Sequence, residues 1–114
     1  MVDVDCKIIS SDYRKQVRLD LEILIKNKNI CKKIEESIFD FTNNYCKINN
    51  IPEYLTLPIY LDKFKDLSVN LNEDNEDVNN LTLKKRILNK EIDVSNIAFM
   101  KPYELHETRW KKII

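Results

Sequence analysis

Apolar residues return every three or four positions along most of this chain, the period of helices that bury one face. The cleanest series is Ile30, Ile34, Ile38, Phe41, Tyr45 and Ile48, which predicts a helix from about residue 30 to residue 48. That pattern leaves Lys32, Lys33, Glu35, Glu36 and Asp40 on its wet side. Upstream, Val17, Leu21, Leu24 and Ile25 mark a helix over about 12–26, capped by Ser11 or Asp12. Arg14, Lys15 and Arg18 then fall on or beside its opposite face. Pro52 stops the second helix and makes 49–56 a turn. A third stripe, Leu57, Tyr60, Leu61, Phe64, Leu67 and Leu71, predicts a helix over about 57–71, with Pro58 tolerated in its first turn.

The last third of the chain carries shorter signals. Residues 72–80 hold the acidic run Glu73, Asp74, Glu76 and Asp77 with Val78 as their one apolar neighbour, so this stretch reads as an exposed loop. A calcium loop would need a central glycine and a terminal bidentate glutamate, and both are missing. Leu83, Ile87 and Leu88 can share an apolar helical face while Lys84, Lys85 and Arg86 project from the rest of the turn. Ile92, Val94, Ile97 and Met100 form one more short apolar series. Pro102 suits the first position of a final helix, and Glu104 falls in its positive first turn. No strand alternation competes with these patterns. The expected fold is all-α, a three-helix bundle with additional short C-terminal helices.

Composition narrows the chemistry. The chain has 114 residues, enough for one domain with a single core. Its 19 basic and 19 acidic residues balance, so a cationic surface must come from segregation of charge. Cys6, Cys31 and Cys46 are odd in number and lack paired spacing, which argues for reduced thiols over a zinc site or a disulfide framework. There is no glycine, which excludes glycine-rich phosphate loops and the nucleophile elbow. His106, the single histidine, has no nucleophile pattern around it and reads as structural or surface, so no catalytic residue is assigned. No apolar run reaches membrane-spanning length, and the N-terminus lacks a signal-peptide layout. From the residues alone, Lys84, Lys85, Arg86 and Lys90 are either a solvated helix face or a docking patch.

The order of these features resembles the central domain of the transcription elongation factor S-II (TFIIS) family. Asn80, Leu83 and Lys84 stand where the family runs Asn-Pro-x-Leu-Arg. Ile87, Leu88 and Ile92 follow its Val-Leu-x-Gly-x-Ile, and Met100, Glu104 and Leu105 its Met-Thr-x-Glu-Glu-Met. Ile34–Glu35 is similar to the Ile-Glu pair of the second helix, and Asn70–Leu71 to the Asn-Leu closing the third. Leu81, Lys90 and Lys101 depart from the family's proline, glycine and threonine. With no glycine available, Asn89 is expected to take the left-handed turn after the fourth helix. The Glu104, Leu105, Trp110 ending looks more like homologues from large DNA viruses than cellular ones.

The resemblance implies a helical module over 12–110, preceded by an extension over 1–11, with 111–114 starting a linker to a zinc ribbon absent from this chain. It implies docking on a multisubunit RNA polymerase, the fourth helix facing the jaw and funnel entry. Lys84, Lys85, Arg86 and Lys90 are the expected contacts, extended by Arg14, Arg18 and Trp110. Trp110 is either a contact anchor or a lid folded back on Tyr103 and Leu105. No cofactor is expected here, zinc belonging to the ribbon, and without the ribbon's acidic hairpin no transcript cleavage is expected. Nucleic acid would be near only indirectly, and no membrane is involved. The expected location is nuclear for a cellular protein, or the virion or site of viral transcription for a viral one. The competing readings are a small helical nucleic-acid binder, weakened by the neutral charge balance, and an S-II-like subunit of a viral polymerase.

Overall fold

The computed structural model describes residues 9–106, and among these it contains helices and turns but no strand. The expected all-α bundle is present. Three long helices, α1 (Ser11–Leu24), α2 (Lys28–Ile48) and α3 (Thr56–Leu71), are followed by two short ones, α4 (Leu83–Leu88) and α5 (Pro102–Leu105). Two 3-10 segments, Glu53–Leu55 and Val94–Phe99, complete the order. Helix α2 is the central rod, packed by α1, by α3 and by the segment Val94–Phe99. Ile9, Val17, Leu21, Ile25, Ile34, Ile38, Tyr60, Leu67, Leu71, Leu83 and Ile97 all enter one core.

Helix starts are set by short polar side chains. Ser10, and neither Ser11 nor Asp12, caps α1 by accepting from the Tyr13 N–H at 3.4 Å. Asn27 caps α2 by accepting from the Ile30 N–H at 3.1 Å. The body therefore reaches back to Ile9, which is buried inside what the sequence suggests is an extension. Residues 1–8 of that extension lie outside the described residues, as do Trp110 and the linker positions 111–114.

The buried face of α2 differs from the expected stripe. Its second half buries Thr42 and Cys46, whereas Tyr45 is 42% and Ile48 69% exposed. Thr42 can occupy a core position because its hydroxyl donates to the Ile38 carbonyl at 2.8 Å. Tyr45 stacks on half-buried Phe41, which also meets Phe99 edge-on. The segment Val94–Phe99 is held to α2 by the Ser37 hydroxyl, which accepts from the Ala98 N–H at 2.9 Å.

A larger departure concerns Glu35. Periodicity places it on the wet side of α2, yet it is completely buried. Its carboxylate accepts from Arg14 Nε at 2.8 Å, Arg14 Nη2 at 3.1 Å and Arg18 Nε at 2.8 Å, all from α1. From α3 the Tyr60 hydroxyl donates to it at 2.9 Å. Burial would lower the pKa of Arg14, but the bonds and charge of Glu35 outweigh it and the guanidinium is held more firmly protonated. Burial first, then Glu35, pushes the Tyr60 phenol far above its ordinary range, so it remains a donor. The Arg14 guanidinium also stacks on Phe39, 3.8 Å from the ring centroid.

The second buried polar centre is Asn80, at the end of the acidic loop. Its amide nitrogen donates to Asn70 Oδ1 at 3.1 Å and to the Leu105 carbonyl at 2.8 Å. Its oxygen accepts from the Thr82 and Leu83 N–H groups at 3.2 and 3.1 Å, starting α4. One fully buried side chain thus joins the end of α3, the start of α4 and the end of α5.

Two consequences can be measured. Glu35→Gln preserves volume but strips two guanidiniums of their carboxylate, and breaking a buried pair from one side costs about 3–5 kcal/mol. Because both arginines keep some water contact, urea denaturation should give the lower end of that range. A loss under about 1 kcal/mol, typical of an exposed pair, would mean that the buried network contributes little. Asn80→Ala should cost about 2 kcal/mol, the scale of unsatisfied buried polar groups. Asn80→Asp should cost more, because a carboxylate oxygen would then face Asn70 Oδ1 and the Leu105 carbonyl. Faster hydrogen exchange at the Leu83 amide would report release of α4.

Candidate interaction surface

Helix α4 is one and a half turns long and buries Leu83 and Ile87. Lys85 and Lys90 are exposed and Lys84 is half-buried. Among the described residues none of these three lysines forms an ion pair. Leu88, expected on the buried face, is instead 50% exposed, and Leu81 before the helix is similarly open. Lys84 and Lys85 precede Leu88 by four and three residues, so the outward side of α4 interleaves cationic and apolar groups.

The turn after α4 resolves the missing glycine differently from expectation. Asn89 has φ −85°, and it is Lys90 that is left-handed, at φ 60°. The Lys90 N–H donates to the Ile87 carbonyl at 3.1 Å and the Glu91 N–H to the Arg86 carbonyl at 2.9 Å. These are the two bonds of a Schellman motif, with lysine at the position that favours glycine. A Cβ there costs about 1–2 kcal/mol. Asn50 and Asn79 take the other positive φ values, as suits asparagine.

The arginines expected beside these lysines behave otherwise. Arg86 turns toward the body and donates through Nη2 to the Glu104 carbonyl at 2.9 Å and the Leu105 carbonyl at 2.8 Å. It anchors the end of α5, where unpaired carbonyls attract a planar cation. Arg14 and Arg18 are half-buried, and both guanidiniums are engaged by Glu35. Lys15 beside them is exposed. Trp110 lies outside the described residues. The site is therefore a lysine surface over an arginine-braced interior.

Helix α5 begins at Pro102 as expected. Glu104 reaches back to accept from the Lys101 N–H at 2.9 Å, which is half of a capping box. Lys101, replacing threonine, cannot supply the other half. His106 is buried, its Nε2 2.6 Å from the Val78 carbonyl, tying the acidic loop to the chain after α5. Cys31 and Cys46 are both buried; the Cys31 thiol donates to the Ile25 carbonyl at 3.1 Å, and burial is the main cause that raises its pKa. Among the described residues no group of His, Cys, Asp and Glu could hold a metal ion. No described helix is long and apolar enough to cross a membrane.

Beside α4 a cleft of about 500 Å³ opens between the start of α2 and the Lys90 turn. Ile30, Ile87, Leu88, Ile92 and Val94 supply its apolar lining, and Lys33 and Lys90 also line it. Sequence reading did not identify this cleft, because its walls are about sixty residues apart in the chain. The buried partners of Arg14, Arg18 and Arg86 were equally invisible to periodicity.

Comparison with known proteins fits this architecture. The family model for the central domain of transcription factor S-II (TFIIS) matches residues 7–114. A transcription factor S-II-related protein of Acanthamoeba polyphaga mimivirus is 39% identical over 109 residues, covering 91% of this chain and 60% of that protein. A flagellar hook-length control protein homolog of Buchnera aphidicola is 31% identical over 112 residues, covering 92% of this chain and 46% of its own length. The chain thus spans less than two thirds of either relative, and no solved structure matches it. The family match extends over all of the described body, including the buried Glu35 and Asn80 and the cationic α4. This chain belongs to the transcription factor S-II family, through its central domain.

Proposed function

We propose that this domain is the polymerase-docking body of a transcription elongation factor, binding a multisubunit RNA polymerase through Lys84, Lys85 and Lys90. The observation that carries this reading is the sorting of charge in a neutral chain. Arg14, Arg18 and Arg86 are half-buried and bonded to acceptors of the body, while Lys85 and Lys90 are exposed, Lys84 is half-buried, and none of these lysines has a carboxylate partner among the described residues. A cationic patch of this kind steers encounter with an acidic surface and fixes orientation. Lys90 adds a second support, since its left-handed backbone costs strain that a use for its charge would offset.

In this reading the domain carries no catalytic group of its own. It would position a transcript-cleavage-stimulating zinc ribbon supplied beyond the residues of this chain, with nucleic acid near only indirectly. The similarity to a mimiviral S-II-related protein supports action at a site of viral transcription, as a factor or as an S-II-like polymerase subunit.

The test is co-precipitation with purified cognate RNA polymerase, comparing the natural chain with Lys84→Glu/Lys85→Glu/Lys90→Glu. Reversal should lower affinity at least tenfold while circular dichroism stays helical. Arg86 is left intact because its reversal would loosen α5 and confuse docking with folding. Equal retention of both proteins would reject the patch, and loss of DNA binding without any polymerase binding would favour a nucleic-acid binder. Lys90→Gly gives a sharper separation. Relief of the left-handed lysine should stabilise the fold by about 1 kcal/mol, while loss of the charge weakens polymerase binding. Added alone to a stalled elongation complex, the domain should not accelerate transcript cleavage.

A further inference from the structure

The docking reading assigns the lysines and leaves the neighbouring cleft without a role. That cleft is lined at the start of α2 by Asn27, Ile30 and Lys33, and across from it by Ile87, Leu88 and Ile92. Its volume of about 500 Å³ lies within the roughly 300–1,000 Å³ of clefts that hold small organic groups. Leu88 is the informative residue: an α4 apolar side chain that lines the cleft and is half open to water.

Charge decides what can enter. Lys33 and Lys90 are exposed lining residues, and Lys84 and Lys85 occupy the same outward side of α4 as Leu88. One acidic residue, Asp93, lines the cleft, and its carboxylate accepts from the Ser95 N–H at 3.0 Å and the Asn96 amide at 3.2 Å. Glu91 lines an adjoining smaller cleft, which shares Ile92 and Asp93 with this one and is also lined by Arg86. An apolar lining with a mainly cationic rim is complementary to an apolar side chain flanked by carboxylates. It disfavours a basic segment, and it has no aromatic lining on which a nucleic-acid base could stack.

We propose that the cleft between α2 and α4 seats a bulky apolar side chain from an acidic segment of the polymerase, with Lys33 and Lys90 meeting the flanking carboxylates. The proposal rests on the docking reading and deepens it. The lysines bring the partner to this face, and the cleft supplies the desolvated anchor that slows its release. This is the usual division between rim charges, which act on association, and a central pocket, which acts on dissociation. The Lys90 turn serves both parts, because its left-handed backbone closes α4 beside Leu88 while its ammonium stays at the rim.

The experiment uses the full chain and three fluorescein-labelled twelve-residue peptides: one mixing aspartate and glutamate with leucine and phenylalanine, one with lysines replacing the acids, and one with serines replacing the apolar residues. Anisotropy should show binding of the first peptide only, with amide shift changes confined to residues 27–33 and 87–94. Leu88→Ser and Lys33→Glu, both at exposed positions, should each weaken that peptide and the polymerase at least tenfold, with unchanged thermal unfolding. Polymerase binding that survives Leu88→Ser but fails on reversal of Lys84 and Lys85 would overturn the cleft and keep the docking surface. Polymerase binding that survives both would remove the docking reading as well. Equal binding of the lysine peptide, or shifts outside the cleft, would also overturn the proposal.

Discussion

A single carboxylate determines how the three long helices fit together. Glu35 lies in the first half of α2 without solvent contact, and its oxygens are reached by Arg14 and Arg18 from α1 and Tyr60 from α3. Apolar packing alone tolerates sliding of one helix along another by small steps. A buried anion does not, because any register that leaves it unpaired incurs the full cost of desolvation. Such a cluster adds little stability over a well-packed apolar substitute, and its value lies in excluding alternative registers. In this chain it fixes α1 and α3 around α2, and the later elements are built on that frame.

The two kinds of cation are used for different work. Guanidinium is planar, weakly hydrated and able to donate several bonds at once, so Arg14, Arg18 and Arg86 can be drawn toward buried or half-buried acceptors. Ammonium is compact and strongly hydrated, and Lys85 and Lys90 remain exposed with Lys84 half-buried beside them. A chain with no net charge thereby acquires a cationic face while using its arginines as internal braces. The acidic residues of the loop before Asn80 are the counterpart of that segregation.

Much of the fold was legible from periodicity. The three long helices, the turn at Pro52 and the proline-started last helix lie close to their expected positions, because apolar spacing is a local property of sequence. Buried polar side chains account for the main misplacements. Glu35 looks like a surface residue until Arg14, 21 positions away, and Tyr60, 25 positions away, are brought to it. Thr42 likewise takes a buried place that the pattern offers to Tyr45, because its hydroxyl is satisfied within the helix. At the expected site, Arg14, Arg18 and Arg86 find acceptors within the body while Lys84, Lys85 and Lys90 form no ion pair among the described residues, a distinction that local spacing cannot reveal. The family resemblance had already singled out Glu35, Asn70 and Asn80, and these prove to be buried polar residues that join elements. Matches that look sparse by identity can therefore be dense in structural content.

The same buried bonds connect the interaction face to the end of the body. Asn80 and Arg86 both donate to the Leu105 carbonyl, one from the start of α4 and one from its outer half. The backbone at Leu105 is thus held against the helix that carries the lysines, with Glu104 tying the start of α5 in turn. A partner that orients α4 consequently orients Leu105 as well, without an intervening flexible joint. For a module whose proposed task is to place a second element on a large machine, that rigidity matters more than affinity. It converts a grip on α4 into a defined position and direction of the chain at Leu105.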